Sequence, residues 1–286
     1  MKKHRKFDKN HSIDQLIERA LTSASRDEAE DALWSLRCRA TREVFRKAEA
    51  LCNSSLREKR ELGVCILSQL GVPTRRFRNE SERILIDLLA TESDEGVIES
   101  ICYGLGHLQS LKGVPILTSL RRHANQNIRL AVVCGLEFQS CEAAAEALID
   151  LSRDPATEVR NQATFALGSM IDLNTKEIRD ALYARLTDDD PEIRGEAMLG
   201  LAIRKDIRCF DAISSEIGSN SVGILSVEAA CELGDARLYP ELVALKGWWT
   251  LDESLLKKAI LSCDPVRNHE KMPKLNHKKF PLDRGD

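Results

Sequence analysis

Three consecutive carboxylates, Asp188-Asp189-Asp190, form the densest acid cluster in the sequence. Two carboxylates in unlike surroundings can divide the roles of general acid and general base. These three, however, stand directly before Pro191 and an apolar-periodic run, where acids cap a helix and complement the positive end of its dipole. Capping is the reading adopted. Histidine offers metal or proton chemistry, and the chain has His4, His11, His107, His123, His269 and His277. Four of these lie in the terminal stretches, and Cys102 with His107 five residues on is a poor ligand spacing without further donors. No metal site and no cofactor is expected. Walker, G-x-S-x-G, H-E-x-x-H and EF-hand patterns are absent. The nine cysteines form no C-x-x-C pair, and most, such as Cys52, Cys65, Cys102, Cys134, Cys209 and Cys231, occupy apolar helical positions. That is how reduced thiols serve as small core residues, and it points to a cytoplasmic protein. Trp248-Trp249 is unusual in a chain this poor in aromatics; the pair is expected to cover the end of the last repeat rather than to hold a ligand.

With so little for catalysis, the weight falls on the elements themselves. The stretch DPATEVRNQATFALG (Asp154–Gly168) returns 34 residues later as DDDPEIRGEAMLGLA. Val159-Arg160 becomes Ile193-Arg194, and Leu167 becomes Leu201. The same leucine recurs as Leu36, Leu67, Leu105, Leu136, Leu167, Leu201 and Leu233, at separations of 31 to 38. A period of this size marks stacked repeats, each burying its apolar face only against its neighbours. That also lets 286 residues escape the size limit of a single core. Leu, Ala, Glu and Arg dominate and hairpin dipeptides are missing, so the chain should be all-α. Helix pairs are expected from Ser12 to about residue 262, with second helices near 26–37, 56–70, 95–106, 126–138, 156–169, 191–203, 221–233 and 252–262. Asp154 should cap the 156–169 helix with Pro155 near its first position. Residues 1–11 and 263–286 read as a basic disordered tail and an extended or disordered C-terminal tail. No apolar segment follows the basic start, as a signal peptide would require, and no run approaches the length of a membrane span.

At these residues the chain resembles the HEAT-like repeats of the phycobilisome-lyase type, whose phrase has Asp before the helix, then Val-Arg, Ala and Leu-Gly. The resemblance covers roughly residues 26–234. It implies a right-handed α-solenoid of about eight HEAT-like helix pairs whose second helices line a concave surface that holds a protein partner. It also implies pairing of the phrase's Asp and Arg between neighbouring repeats, carried here by Arg129, Asp154, Arg160, Asp188 and Arg194 as a structural ladder. Ile98 departs from the pattern where Arg is usual. Bilin lyase activity rests on the repeat's name alone, and no residue set here would carry it.

A helical wheel at about 100° per residue places Val159, Ala163, Ala166 and Leu167 on the core side. Phe165 and Asn161 fall on the opposite, inner side. The Phe165 position reads Trp34, Cys65, Tyr103, Cys134, Phe165, Leu199 and Cys231, none of them charged. The Asn161 position reads Glu30, Glu61, Glu99, Leu130, Asn161, Gly195 and Val227, acidic early and neutral or apolar later. An uncharged strip on an otherwise polar helix side is either an interaction site or a second packing layer. The candidate partner-binding residues are Trp34, Tyr103, Phe165 and Leu199, with Glu30, Glu61 and Glu99 beside them. The function expected is therefore a non-enzymatic protein-binding scaffold, adaptor or regulator in a bacterial cytoplasm. The alternatives are a HEAT-like DNA alkyl-purine glycosylase or DNA-binding protein, and an assembly factor or lyase-like subunit. The formal net charge of −3 argues against nucleic acid, whose phosphates need a basic track.

Overall fold

In the computed structural model, residues 7–266 are described. They form eight consecutive helix pairs and no strand. The first four are α1 (Ile13–Thr22) with α2 (Arg26–Arg39), α3 (Arg42–Cys52) with α4 (Arg57–Leu67), α5 (Arg78–Leu89) with α6 (Glu95–His107), and α7 (Val114–Ser119) with α8 (Gln126–Leu136). The next four are α9 (Glu142–Leu151) with α10 (Thr157–Phe165), α11 (Lys176–Arg185) with α12 (Pro191–Ile203), α13 (Phe210–Ile217) with α14 (Ile224–Leu233), and α15 (Tyr239–Ala244) with α16 (Glu253–Ser262). The all-α solenoid of eight pairs is the architecture that the leucine period predicts.

Local chemistry sets the helix starts. Ser12 and Gln15 form a reciprocal capping box on α1, and Thr41, Asp94, Asn125, Thr175, Asp190 and Asp252 each accept a backbone N–H at the head of a helix. Asp190 caps α12 with Pro191 at its first position. Asp154 does not cap α10 in this way. It corresponds to Asp188, two residues before the cap position, and its Oδ1 accepts from the Ala156 N–H outside the helix. Pro155 consequently lies before the helix, and α10 has no side-chain cap. At its other end α10 widens into a π turn over Ala166–Met170.

Six of the seven repeat leucines, Leu36 to Leu201, are at most 1% exposed. Leu233, near the end of the stack, is only half-buried. Ala163 and Ala197 are fully buried between them. Second helices stack on second helices along the whole length, and more closely than first helices stack on first. Glycine makes the approach possible: a Cβ at Gly106 would stand 2.6 Å from the Cys134 carbonyl oxygen, and one at Gly200 would stand 2.5 Å from the Gly168 Cα. A stack drawn together on one side curves toward that side, so the second helices line its inner face.

Of the expected N-terminal tail, residues 7–11 are described, and they are held against α2. The Asp8 N–H donates to Ser35 Oγ (2.9 Å), and the Arg39 guanidinium donates to the carbonyls of Asp8 (2.8 Å) and His11 (2.7 Å). Residues 1–6 and 267–286 lie outside the described residues, and with them most of the two expected tails. At the far end, Trp249 is buried and its indole N–H donates to the Val222 carbonyl (2.8 Å), whereas Trp248 is exposed. Only one of the two rings covers the stack.

Candidate functional site

Behind the inner face runs a set of ion pairs that fixes the register of one repeat on the next. Arg160 of α10 donates from Nε and Nη2 to both oxygens of Asp188 (2.8 and 3.1 Å), and Arg129 of α8 does the same to Asp154 (2.7 and 2.8 Å). Each arginine turns its remaining nitrogen back to the loop before its own helix: Arg129 to the His123 and Ala124 carbonyls, Arg160 to that of Asp154. One planar fork thus ties two loops, which a lysine could not do. Arg60 makes the same bidentate pair with Glu92, at 2.7 and 3.1 Å. Where the sequence has Ile98 in place of the arginine, the following acid position is also vacated, by His123. Arg194 finds the neutral Asn220 at that position and turns to Glu216 instead, at 3.4 Å. The carboxylates of Glu92, Asp154 and Asp188 are each about 5% exposed. Desolvation opposes their charge, yet the arginine and backbone N–H donors outweigh it and hold all three pKa values below the ordinary range. The charges of these groups are met by one another within the stack.

The inner face itself carries the Phe165 column. Trp34, Cys65, Tyr103, Cys134, Phe165, Leu199 and Cys231 are all half-buried, none in the core and none fully exposed. The column is therefore neither a sealed second layer nor a row of free side chains; Tyr103, Leu199 and Cys231 pack against the core. Glu30 accepts from Arg26 (3.1 Å), and Glu61 from Arg57 (2.9 Å), so these two acids are met by cations of their own helices. Glu99 sits beside Tyr103. Burial, with the neighbouring Cys134, Glu99 and Glu158, pushes the Tyr103 phenol up to about 12, so it stays a neutral hydrogen-bonding ring.

The structure enlarges this face beyond the residues found by periodicity. Positions i, i+4, i+7 and i+11 of a helix form one stripe, and in α12 they are Glu192, Glu196, Leu199 and Ile203. The equivalent positions place Phe138, Glu158 and Glu228 on the same face. Phe138, Ile203 and Ile224 are 43–45% exposed, large apolar groups left in water. The acidity thus does not fade along the chain, as the Asn161 column alone suggested; it shifts to an adjacent column. Taken together, the columns through Glu158, Asn161, Gln162, Phe165 and Ser169 contain no lysine or arginine in any helix from α2 to α14, although 42 of 286 residues are basic. Acids occur in these columns in every one of those second helices but α8.

Within this face one group is out of balance. Glu196 is 9% exposed, and its Oε2 is closed off from solvent without a hydrogen-bond donor. Burial, then the charges of Glu192 and Glu228, push its carboxyl up to about 7. Asn161 Oδ1, on the same face, is likewise buried without a donor. By contrast, Gln162 Nε2 donates to Glu137 Oε2 (2.8 Å) between α10 and α8. The thiols have no such poise: burial raises Cys52, Cys102, Cys134, Cys209 and Cys263 to about 12, so they remain protonated packing groups. Cys102 is buried and His107 exposed, so the pair does not converge on one point.

Residues 82–168 and 145–215 match the family model for HEAT repeats. The chain is 29% identical to Protein YibA of Escherichia coli strain K12 over 219 residues, which is 72% of this chain and 75% of YibA. The X-ray structure of YibA superposes with a TM-score of 0.71 at 24% identity, covering 89% of this chain and 93% of YibA. A structure of Kap95p with RanGDP is similar over 88% of this chain and 41% of that one, with a TM-score of 0.53 at 12% identity. These structural likenesses concern the fold. No helix among the described residues is long and apolar enough to cross a membrane.

Proposed function

We propose that this chain, a HEAT-like α-solenoid, is a non-enzymatic scaffold or adaptor that binds a protein segment along its inner face. Residues 12–262 are the unit that carries this role. The observation behind the proposal is the face from α2 to α14, whose five columns contain no lysine or arginine, are studded with acids, and hold half-buried Trp34, Tyr103, Phe165 and Leu199, with Arg26 and Arg57 reaching its early acids from the side. A surface of that kind repels phosphate, which argues against nucleic acid. It suits an extended or helical segment that offers apolar anchors and basic side chains. The half-buried rings are pre-ordered by packing, which lowers the entropic cost of binding and favours them as anchors. Kap95p, a protein of similar fold, binds RanGDP, which supports a protein partner for this chain too. Nine unpaired cysteines support a reducing, cytoplasmic setting.

The test uses the immobilised full chain as bait in lysate of its native host, with Tyr103→Ala, Phe165→Ala and Glu99→Lys beside the wild type. The expected result is one protein captured by the wild type and lost, or weakened about 5- to 100-fold per folded molecule, in the aromatic variants, which stay folded at the assay temperature although their melting temperatures fall; that range corresponds to about 1–3 kcal/mol per anchor. Equal capture by all four chains would refute the assignment to this face.

A further inference from the structure

The inner face in the C-terminal half is both acidic and apolar, and the chain carries a segment of complementary composition. Glu192, Glu196 and Glu228 share a stripe with Leu199, Ile203 and Ile224 on α12 and α14. Two of the apolar groups, Ile203 and Ile224, are 43% exposed. Glu196 adds a separate sign of an uncompensated charge: it is nine-tenths buried, and its inner oxygen meets no donor, a costly arrangement that an ammonium group at the surface side of the carboxylate would offset. The columns without lysine or arginine run to α14, where Lys205 and Lys258 lie near Cys231.

Beyond Val266, the last described residue, the sequence runs NHEKMPKLNHKKFPLDRGD from Asn268. Lys274, Lys278 and Lys279 alternate there with Leu275, Phe280 and Leu282. Pro273 and Pro281 oppose a helix and favour an extended run. Helix α16 adjoins α14, and α14 adjoins α12, so the face lies about 16–20 Å from the end of α16 at usual helix spacings. Eight residues, if extended, span about 26 Å, a reach long enough for Lys274 to meet that face.

Resting on the reading of the inner face as a binding surface, we propose that residues 271–282 of this chain seat on its C-terminal half, with lysines against Glu192, Glu196 and Glu228 and apolar side chains against Leu199, Ile203 and Ile224. An outside partner then competes with the chain's own segment, and the bound partner is one that carries the same alternation of basic and apolar side chains.

Zero-length carbodiimide coupling of the full chain, read by mass spectrometry, tests the seating. Lysines 274, 278 or 279 should join Glu192 or Glu228 within one molecule, in a yield that falls as salt rises. Mixing ¹⁴N- and ¹⁵N-labelled chains separates own-chain links from links between copies. Links only between copies, links only to other faces, or none would overturn the proposal. In a second arm, a labelled synthetic peptide of residues 267–286 is titrated onto the wild type and onto the full-length K274E/K278E/K279E variant. Because the variant's own segment no longer competes, it should bind the peptide at least ten-fold more tightly than the wild type; equal affinity, or no binding to either, would overturn it. Loss of the cross-links alongside retained partner capture and retained sensitivity to Phe165→Ala would reject the seating alone and leave the scaffold reading standing.

Discussion

With Lys274, Lys278 and Lys279 replaced by glutamate, so that none of them can pair with Glu196, replacing Glu196 by glutamine should stabilise the fold, and the gain should depend on pH in a direction that the structure dictates. The carboxyl is pushed from 4.5 to about 7, mainly by burial and then by Glu192 and Glu228. Between those two values the folded chain binds a proton that the unfolded chain has released, so stability falls as pH rises. Below about 4.5 both states are protonated and the group contributes nothing; above about 7 both are ionised and the full penalty stands. At about 1.4 kcal/mol per pKa unit the penalty is at most about 3 kcal/mol, and roughly 1–3 kcal/mol once partial access of water to the other carboxylate oxygen is allowed for. Glutamine keeps the shape and removes the charge. Urea melts of the K274E/K278E/K279E chain with and without Glu196→Gln, at pH 4, 6 and 8, should therefore coincide at pH 4 and diverge by this amount at pH 8, with the glutamine chain the more stable. Taking the difference at each pH cancels the contributions of the other titrating groups. Coincident curves at every pH, or a chain that is more stable with Glu196 than with glutamine at pH 8, would show that Glu196 has a donor or full hydration without the C-terminal lysines.

Two further substitutions probe the stack. Asp188→Asn removes the bidentate partner of a half-buried arginine and should cost about 1–3 kcal/mol at neutral pH. Because the folded Asp188 pKa is lowered, its stabilisation is present above the unfolded value and lost as pH falls through the folded one, so melts of wild type and variant should converge below about pH 4. Gly106→Ala forces a methyl against the Cys134 carbonyl at 2.6 Å, where backbone cannot yield cheaply; it should destabilise by about 1–3 kcal/mol despite alanine's better helix propensity, while Gly223→Ala, with nothing within 4 Å, should change little in the same melts.

What could be read in advance divides by the kind of signal each feature leaves. The leucines recur because every repeat solves the same packing problem, so Leu36 to Leu201 announce the stack without coordinates. The ion pairs of Arg129 and Arg160 came through the family phrase. Arg60–Glu92 follows the same register but lacks the phrase's Asp, and Arg194–Glu216 draws its acid from α13 instead of the loop; only a three-dimensional neighbourhood reveals that substitution. Asp154 was misplaced by two residues because a DP dipeptide resembles a cap, whereas its carboxylate is already committed to Arg129. On the inner face, following the Phe165 and Asn161 positions missed Phe138, Ile203, Glu196 and Glu228. The same wheel would have found them one turn away, but nothing in one dimension says how wide a solenoid's inner face is.

That width follows from the glycines. Gly106, Gly135, Gly168 and Gly200 let second helices approach until backbone meets backbone. Side chains flanking the contact then cannot retreat into the core, and they are presented half-buried on the inner side. The approach that holds the repeats together is thus also what leaves Tyr103 and Phe165 half-buried, and what traps Glu196 between helices with an oxygen unpaired. A bulky residue at one of these glycines should therefore disturb the face as well as the stack, whereas changes at the outer surface of the first helices should leave both intact. The binding surface is in this sense a product of helix spacing rather than of any single motif, which explains why its chemistry is distributed over seven repeats and concentrated in none.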